Sequence, residues 1–137
     1  MNVRNGFLAA AALAFMILTC SVQADGNPAA SADPDVIAER CTTHMTNVAH
    51  RAEQAGAKVV SETLPRIENL VEAGKLKAAK ILALNAIGRI NQLSDMAVGH
   101  IRRDAGVCAK RLEALGQMEL ARNVIETAQE LVKSVRQ

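Results

Sequence analysis

The segment 70–80 reads LVEAGKLKAAK and separates two long amphipathic stretches. Gly74 lies near its centre, and glycine commonly ends helices because it adopts positive φ without strain. On both sides of Gly74, apolar side chains recur at steps of three and four, the spacing of one stripe along a helix. The segment therefore predicts a tight helical hairpin with a long helix on either side of the turn.

The stretch before Gly74 predicts a helix that begins close to Asp33. Asp33 suits the N-cap, and Pro34 suits the first helical position because its missing N–H is not needed there. Pro65 lies inside the pattern, where it removes an N–H and clashes with the preceding turn, so we expect a kink or a break near Thr63. The stripe consists of Cys41, Met45, Val48, Ala52, Ala55 and Val59, followed after a one-residue shift by Val60, Leu64, Ile67 and Val71.

The stretch after Gly74 predicts a second long helix that ends at Gly116 and a third helix that finishes the chain. Three glycines inside the second helix each cost up to about 1 kcal/mol relative to alanine, which favours a bend or a split at one of them. They are Gly88, Gly99 and Gly106. The second stripe consists of Leu76, Ala79, Ala83, Ile87, Ile90, Ser94, Ala97, Ile101, Ala105 and Cys108. The third stripe consists of Leu120, Val124, Ala128, Leu131 and Val135.

These patterns predict an all-α fold for residues 33–137. We expect an antiparallel helical hairpin with the C-terminal helix folded back on it, which makes a small three-helix bundle, or a four-helix bundle if Pro65 breaks the first helix. The steps of three and four are also those of a coiled coil. No strand-like alternation occurs in the sequence, and its length leaves no room for a second globular core.

The N-terminus has the pattern of an export signal over residues 1–24. Arg4 precedes an apolar stretch at residues 7–18, and a small-x-small pattern follows at residues 22–24. Residues 25–32 lack apolar periodicity and are interpreted as a flexible tether. We therefore expect a secreted or periplasmic protein that begins at Asp25 and carries no later membrane anchor.

Cys20 leaves an alternative to simple cleavage. The run from Ile17 to Cys20 loosely resembles the bacterial lipoprotein cleavage box, but Ile17 and Thr19 depart from its usual residues. If Cys20 were lipidated, the domain would be an envelope protein held at a membrane. Without lipidation, we expect no contact with a membrane.

Composition argues against several classes of ligand. Loss of residues 1–24 removes Arg4 and no acid, so the net charge falls from +2 to about +1. Phosphate binding needs a clustered excess of Lys and Arg, so nucleic acid is not an expected partner. Both phenylalanines, Phe7 and Phe15, lie in the signal, and the rest of the chain has no aromatic side chain to stack on a base or a sugar.

Cys41 and Cys108 are predicted to form a disulfide. They are the two cysteines that remain after cleavage, and an even number in an exported protein favours pairing. Cys41 lies 33 residues before Gly74 and Cys108 lies 34 residues after it, so a hairpin centred on Gly74 places them at nearly the same level. Both also belong to the apolar stripes, so each faces the opposite helix.

A metal site is the alternative interpretation of the same end of the hairpin. His44 lies one turn from Cys41 and Asp104 lies one turn before Cys108, so two sulfurs, an imidazole and a carboxylate could bind zinc or copper. A disulfide would exclude this site, and free thiols would favour it. His50 and His100 also fall near one level, but His50 lies opposite the apolar stripe, so we interpret both as solvated.

Catalysis and a bound cofactor are not expected from this sequence. It contains no nucleophile elbow, no glycine-rich phosphate loop and no haem attachment motif. A Cys41–His44 dyad would be silenced by the disulfide.

An interaction surface is expected near the turn, because the third helix is too short to cover both arms of the hairpin. The sequence therefore predicts an exported interaction or structural module that self-associates or binds a protein partner by helix packing. The interface candidates are Val60, Leu64, Ile67, Leu70, Leu82, Leu84 and Leu93.

Overall fold

A computed structural model of the chain describes residues 33–137, which form three α-helices and no strand. The helices are α1 (Pro34–Glu72), α2 (Leu76–Ala114) and α3 (Met118–Val135), and each of them contacts the other two. At 1.5 Å per residue, α1 and α2 are each about 58 Å long and α3 is about 27 Å long. The prediction of a small all-α bundle is confirmed in its three-helix form. The predicted signal, the tether and Cys20 lie outside the described residues.

Local sequence signals account for the helix ends. The Asp33 carboxylate accepts a hydrogen bond from the backbone N–H of Asp35 at 3.0 Å, which caps the start of α1. Gly74 has φ +70° at the end of α1, and Gly116 has φ +74° at the end of α2. At both ends, backbone hydrogen bonds reach back across the last turn in the Schellman pattern. Both turns are therefore tight and glycine-dependent, as predicted.

Of the kink or break expected near Thr63, the break is wrong, because α1 continues as one helix through Pro65. Pro65 is exposed, and because it has no N–H, the carbonyl of Ser61, one turn before it, lacks its usual hydrogen-bond donor. Val59 and Thr63 on the same helix are buried, which holds this part of α1 in place. Packing along a 39-residue helix thus outweighs the local cost of one proline.

Of the bend or split expected at a glycine of α2, the split is also wrong. The helix is continuous through Gly88, Gly99 and Gly106. A helical glycine costs only about 1 kcal/mol relative to alanine, which is small beside the burial of apolar side chains along the helix. The two long arms are therefore single helices.

The core lies at the end of the hairpin that α3 covers. Met45, Ile101 and Leu112 are fully buried there. The Ser94 hydroxyl donates a hydrogen bond to the carbonyl of Val135 at 3.1 Å, which marks the level at which α3 ends. Core residues from α3 are Ala121, Val124, Ala128, Val132 and Val135.

The hairpin continues beyond this level without a third helix. We call the uncovered part, residues 55–72 of α1 and 76–93 of α2, the free arm. Its buried residues are Val59, Thr63 and Ala79. The fold is thus a three-helix bundle at one end and a two-helix hairpin at the other.

Candidate functional site

The covered end carries the Cys41–Cys108 disulfide. Its two Cα atoms are 6.4 Å apart, and the bond joins the first third of α1 to the last quarter of α2. Both cysteines are partly buried against the core. The predicted pairing is therefore present, and the bond fixes the register of the hairpin at the end opposite to its turn.

His44 and Asp104 lie beside the disulfide, as the sequence predicted. His44 Nε2 is 3.3 Å from Asp104 Oδ2. The two residues line an open depression of about 270 Å³ together with Cys41 and Cys108. Because both sulfurs are bonded to each other, neither is available as a thiolate ligand. Within residues 33–137, no group of three or more His, Cys, Asp or Glu side chains is arranged to hold a metal ion.

The His44–Asp104 contact is expected to contribute little to stability. The His44 side chain is 65% exposed and the Asp104 side chain is 30% exposed, so water screens their interaction. Asp104→Asn is predicted to change the free energy of unfolding by less than about 1 kcal/mol in urea denaturation. Glu113→Gln, an exposed carboxylate on the same helix, is the matched control. A much larger loss with Asp104→Asn alone would mean that this pair holds the bundle together.

His50 and His100 do not form a site in this structure. Both are exposed. His50 Nε2 is 2.8 Å from the side-chain nitrogen of Gln54, and its Nδ1 is 3.8 Å from a Glu53 carboxylate oxygen. His50 thus contacts neighbours on its own helix, as expected of a solvated side chain.

The predicted interface residues all lie on the free arm, but they differ in exposure. Val60, Leu64 and Leu84 are about half exposed, at 47%, 50% and 57%. The other four are partly buried, three of them in the seam between α1 and α2 and Ile67 at its edge: Ile67, Leu70, Leu82 and Leu93. Further exposed apolar residues of the arm, which the sequence did not single out as interface candidates, are Val71, Leu76, Ile81 and Ile87.

The exposed residues of the arm continue the stripes that α3 covers elsewhere. Residues eleven apart lie three turns apart on the same face of a helix. On α1, Ala49 is buried in the core, whereas Val60, eleven residues later, is exposed. On α2, Val98 is buried, whereas Ile87, eleven residues earlier, is exposed. The groove that α3 fills therefore continues along the free arm, where it is uncovered.

We call this uncovered groove, lined by Val60, Leu64, Ile67, Val71, Leu84 and Ile87, the arm face. Helical geometry places all six residues on the same side of the hairpin as α3. The exposed residues of each helix lie beside the residues that face the opposite helix, and on both helices they lie on the side toward α3. The arm face is thus mainly apolar, with one charged residue, Lys80, four residues before Leu84 on the α2 stripe.

Charged residues lie at the two ends of the arm face. Lys75 and Lys77 are near the turn, whereas Glu53 and Asp95 are near the end of α3. All four side chains are exposed. Glu53 has His50 as a neighbour, and among residues 33–137 the other three form no ion pair. Lys75, Lys77 and Lys80 outnumber Glu68 and Glu72 near the turn, so this end is weakly basic, whereas the α3 end of the face is acidic.

Comparison with known proteins finds no matching family model, no matching curated protein and no matching solved structure. Of the three helices described, none has both the length and the apolarity that a membrane span requires.

Proposed function

We propose that this protein is an exported, non-catalytic helical module that binds a protein partner through the arm face. One observation carries the proposal: the apolar stripes that α3 buries at one end continue into solvent at the other. Leu64, Leu84 and Ile87 are each at least half exposed on that continuation. Contiguous exposed apolar surface on a folded domain usually marks an interaction site.

The disulfide supports this proposal through its position. It closes the end of the hairpin that is farthest from the arm face, so it secures the bundle without occupying the proposed binding surface. A bonded cysteine pair also agrees with export to an oxidising compartment, which the signal pattern of residues 1–24 predicts.

Helix packing is the mode of binding that fits the arm face. The face is a groove between two helices, lined by aliphatic side chains and free of aromatic residues. Such a groove accepts the apolar stripe of another helix, which contributes side chains at steps of three and four. A partner of this kind extends the bundle past the end of α3.

Site-specific photocrosslinking in the cells that produce the protein tests the proposal. A photoreactive amino acid at position 84 is expected to form adducts with a protein that covers the arm face. The same amino acid at position 107 is the matched control, because Val107 is 64% exposed on α2 but lies outside the free arm. Adducts at position 84 and none at 107 are the predicted result. No adduct at position 84 would contradict the proposal.

A further inference from the structure

We infer that the partner of the arm face is the arm face of a second copy of this chain, and that the two free arms form an antiparallel four-helix bundle. This inference rests on the proposed function, because it names the partner of the same surface. Four properties of the arm support it: its dimensions, its symmetry, its distribution of charge and its area.

The dimensions of the arm match the space beside it. The arm face extends from the level of Ser94, where α3 ends, to Gly74, which is twenty residues or about 30 Å of helix. A second free arm has the same length by definition. In the antiparallel orientation, the free arm of the second copy lies beside the arm face of the first, beyond the end of α3. The Gly74 turn of the second copy then meets the end of α3 of the first. A parallel orientation would instead bring the two α3 helices, each about 10 Å thick, into the same space.

The symmetry of an antiparallel dimer identifies the residues at its centre. A twofold axis across the arms stacks α1 on α1 and α2 on α2 of the second copy. The midpoint of the arm lies ten residues from Gly74 on either side, at Leu64 and Leu84. These two leucines are among the exposed residues of the arm face, at 50% and 57%. Each of them therefore meets its own counterpart at the axis.

The distribution of charge is complementary in the same register. Lys75 and Glu53 are both eleven residues from Leu64, so Lys75 of one copy lies level with Glu53 of the other. On α2, Lys77 lies within about one turn of Asp95 of the second copy, a distance that a lysine side chain spans. The basic end of each arm face thus meets the acidic end of its partner. A parallel dimer would place like charges together.

The area is sufficient for a specific interface. A face of two helices, each about 10 Å wide and 30 Å long, covers roughly 600 Å² on each copy, or roughly 1,200 Å² for the pair. Specific interfaces generally bury more than about 1,000 Å² in total. The free arm therefore offers enough surface for a stable dimer without any contribution from the covered end.

Sedimentation velocity and cysteine crosslinking of the purified protein test this inference. The protein is expected to sediment as a dimer at about 100 µM, where even a weak specific interface assembles. Leu84→Cys is expected to form a covalent dimer on oxidation, because position 84 meets itself at the axis. Glu113→Cys, an exposed position on the same helix but outside the free arm, is expected to remain uncrosslinked.

A charge reversal tests the orientation. Lys77→Asp and Asp95→Lys are each expected to raise the dimer dissociation constant about tenfold, and the double variant is expected to restore most of the affinity. Both residues are exposed, so circular dichroism should show unchanged helix content in all three variants. Dimers that respond to neither single substitution would overturn the antiparallel register.

Failure of this inference is distinguishable from failure of the proposed function. A purified protein that stays monomeric at about 100 µM, while position 84 still crosslinks in cells to a protein of different mass, overturns self-association and leaves the binding module in place. A monomer that also gives no adduct at position 84 overturns both.

Discussion

Replacing Cys41 and Cys108 together by serine is expected to lower the free energy of unfolding by about 4 kcal/mol. The bond joins residues 67 positions apart, and the loop-entropy model gives about this value for a loop of that size. Burial of apolar side chains stabilises this core only modestly, because it contains no aromatic side chain and many of its residues are alanines. Urea denaturation of the oxidised protein and of the double variant measures the difference.

The matched control is Thr43→Ser, an exposed substitution close to Cys41 on α1. It is expected to change the free energy of unfolding by less than about 0.5 kcal/mol. If the double serine variant lost less than about 1 kcal/mol, the disulfide would not be a principal support of the bundle.

The second large effect is expected from Ile101→Ala. Ile101 has 0% exposure and lies in the core where all three helices meet, so its truncation leaves a cavity that the surrounding helices fill only partly. The free energy of unfolding is predicted to fall by about 3 kcal/mol, within the range measured for buried isoleucine truncations. Thermal and urea denaturation provide the measurement.

Ile81→Ala is the matched control for this truncation, because Ile81 lies on the same helix and is 52% exposed. In the monomer, its loss is predicted to cost less than about 1 kcal/mol. Equal losses at positions 81 and 101 would contradict the assignment of the core to the end covered by α3.

The conformational freedom of glycine and the periodicity of the apolar residues made much of the fold predictable. Gly74 and Gly116 identify both turns, since each adopts positive φ at a helix end. The position of Gly74 then determines which residues of the two arms lie at one level. Cys41 and Cys108 lie at one level and on facing stripes, and this spacing, together with their even number and the export signal, made their pairing predictable.

The continuity of α1 and α2 could not be predicted from local signals. Pro65 and Gly88 disfavour a helix by amounts that depend on the residue alone, whereas the packing that offsets them depends on the opposite helix. Val59 and Thr63 are buried close to that weak point in a 39-residue helix, so the interruption predicted near Pro65 does not occur.

The extent of the arm face depends on where α3 ends, which the sequence pattern does not predict. Ile87 belongs to the stripe that predicts burial, yet it is 53% exposed because α3 ends before reaching it. The Ser94–Val135 hydrogen bond shows where that end lies. Conversely, Leu70 and Leu82 are predicted interface residues that are partly buried in the seam between α1 and α2.

An intact mass of the protein purified from the cells that produce it, recorded in denaturing and native conditions with and without alkylation, tests the central claim most directly. The claim is that this is an exported, disulfide-closed helical module that assembles with a protein partner. The predicted result is a chain that begins at Asp25, resists alkylation until it is reduced, and appears in native conditions as a complex. A chain that retains residues 1–24, has alkylatable Cys41 and Cys108, and appears only as a monomer would contradict it.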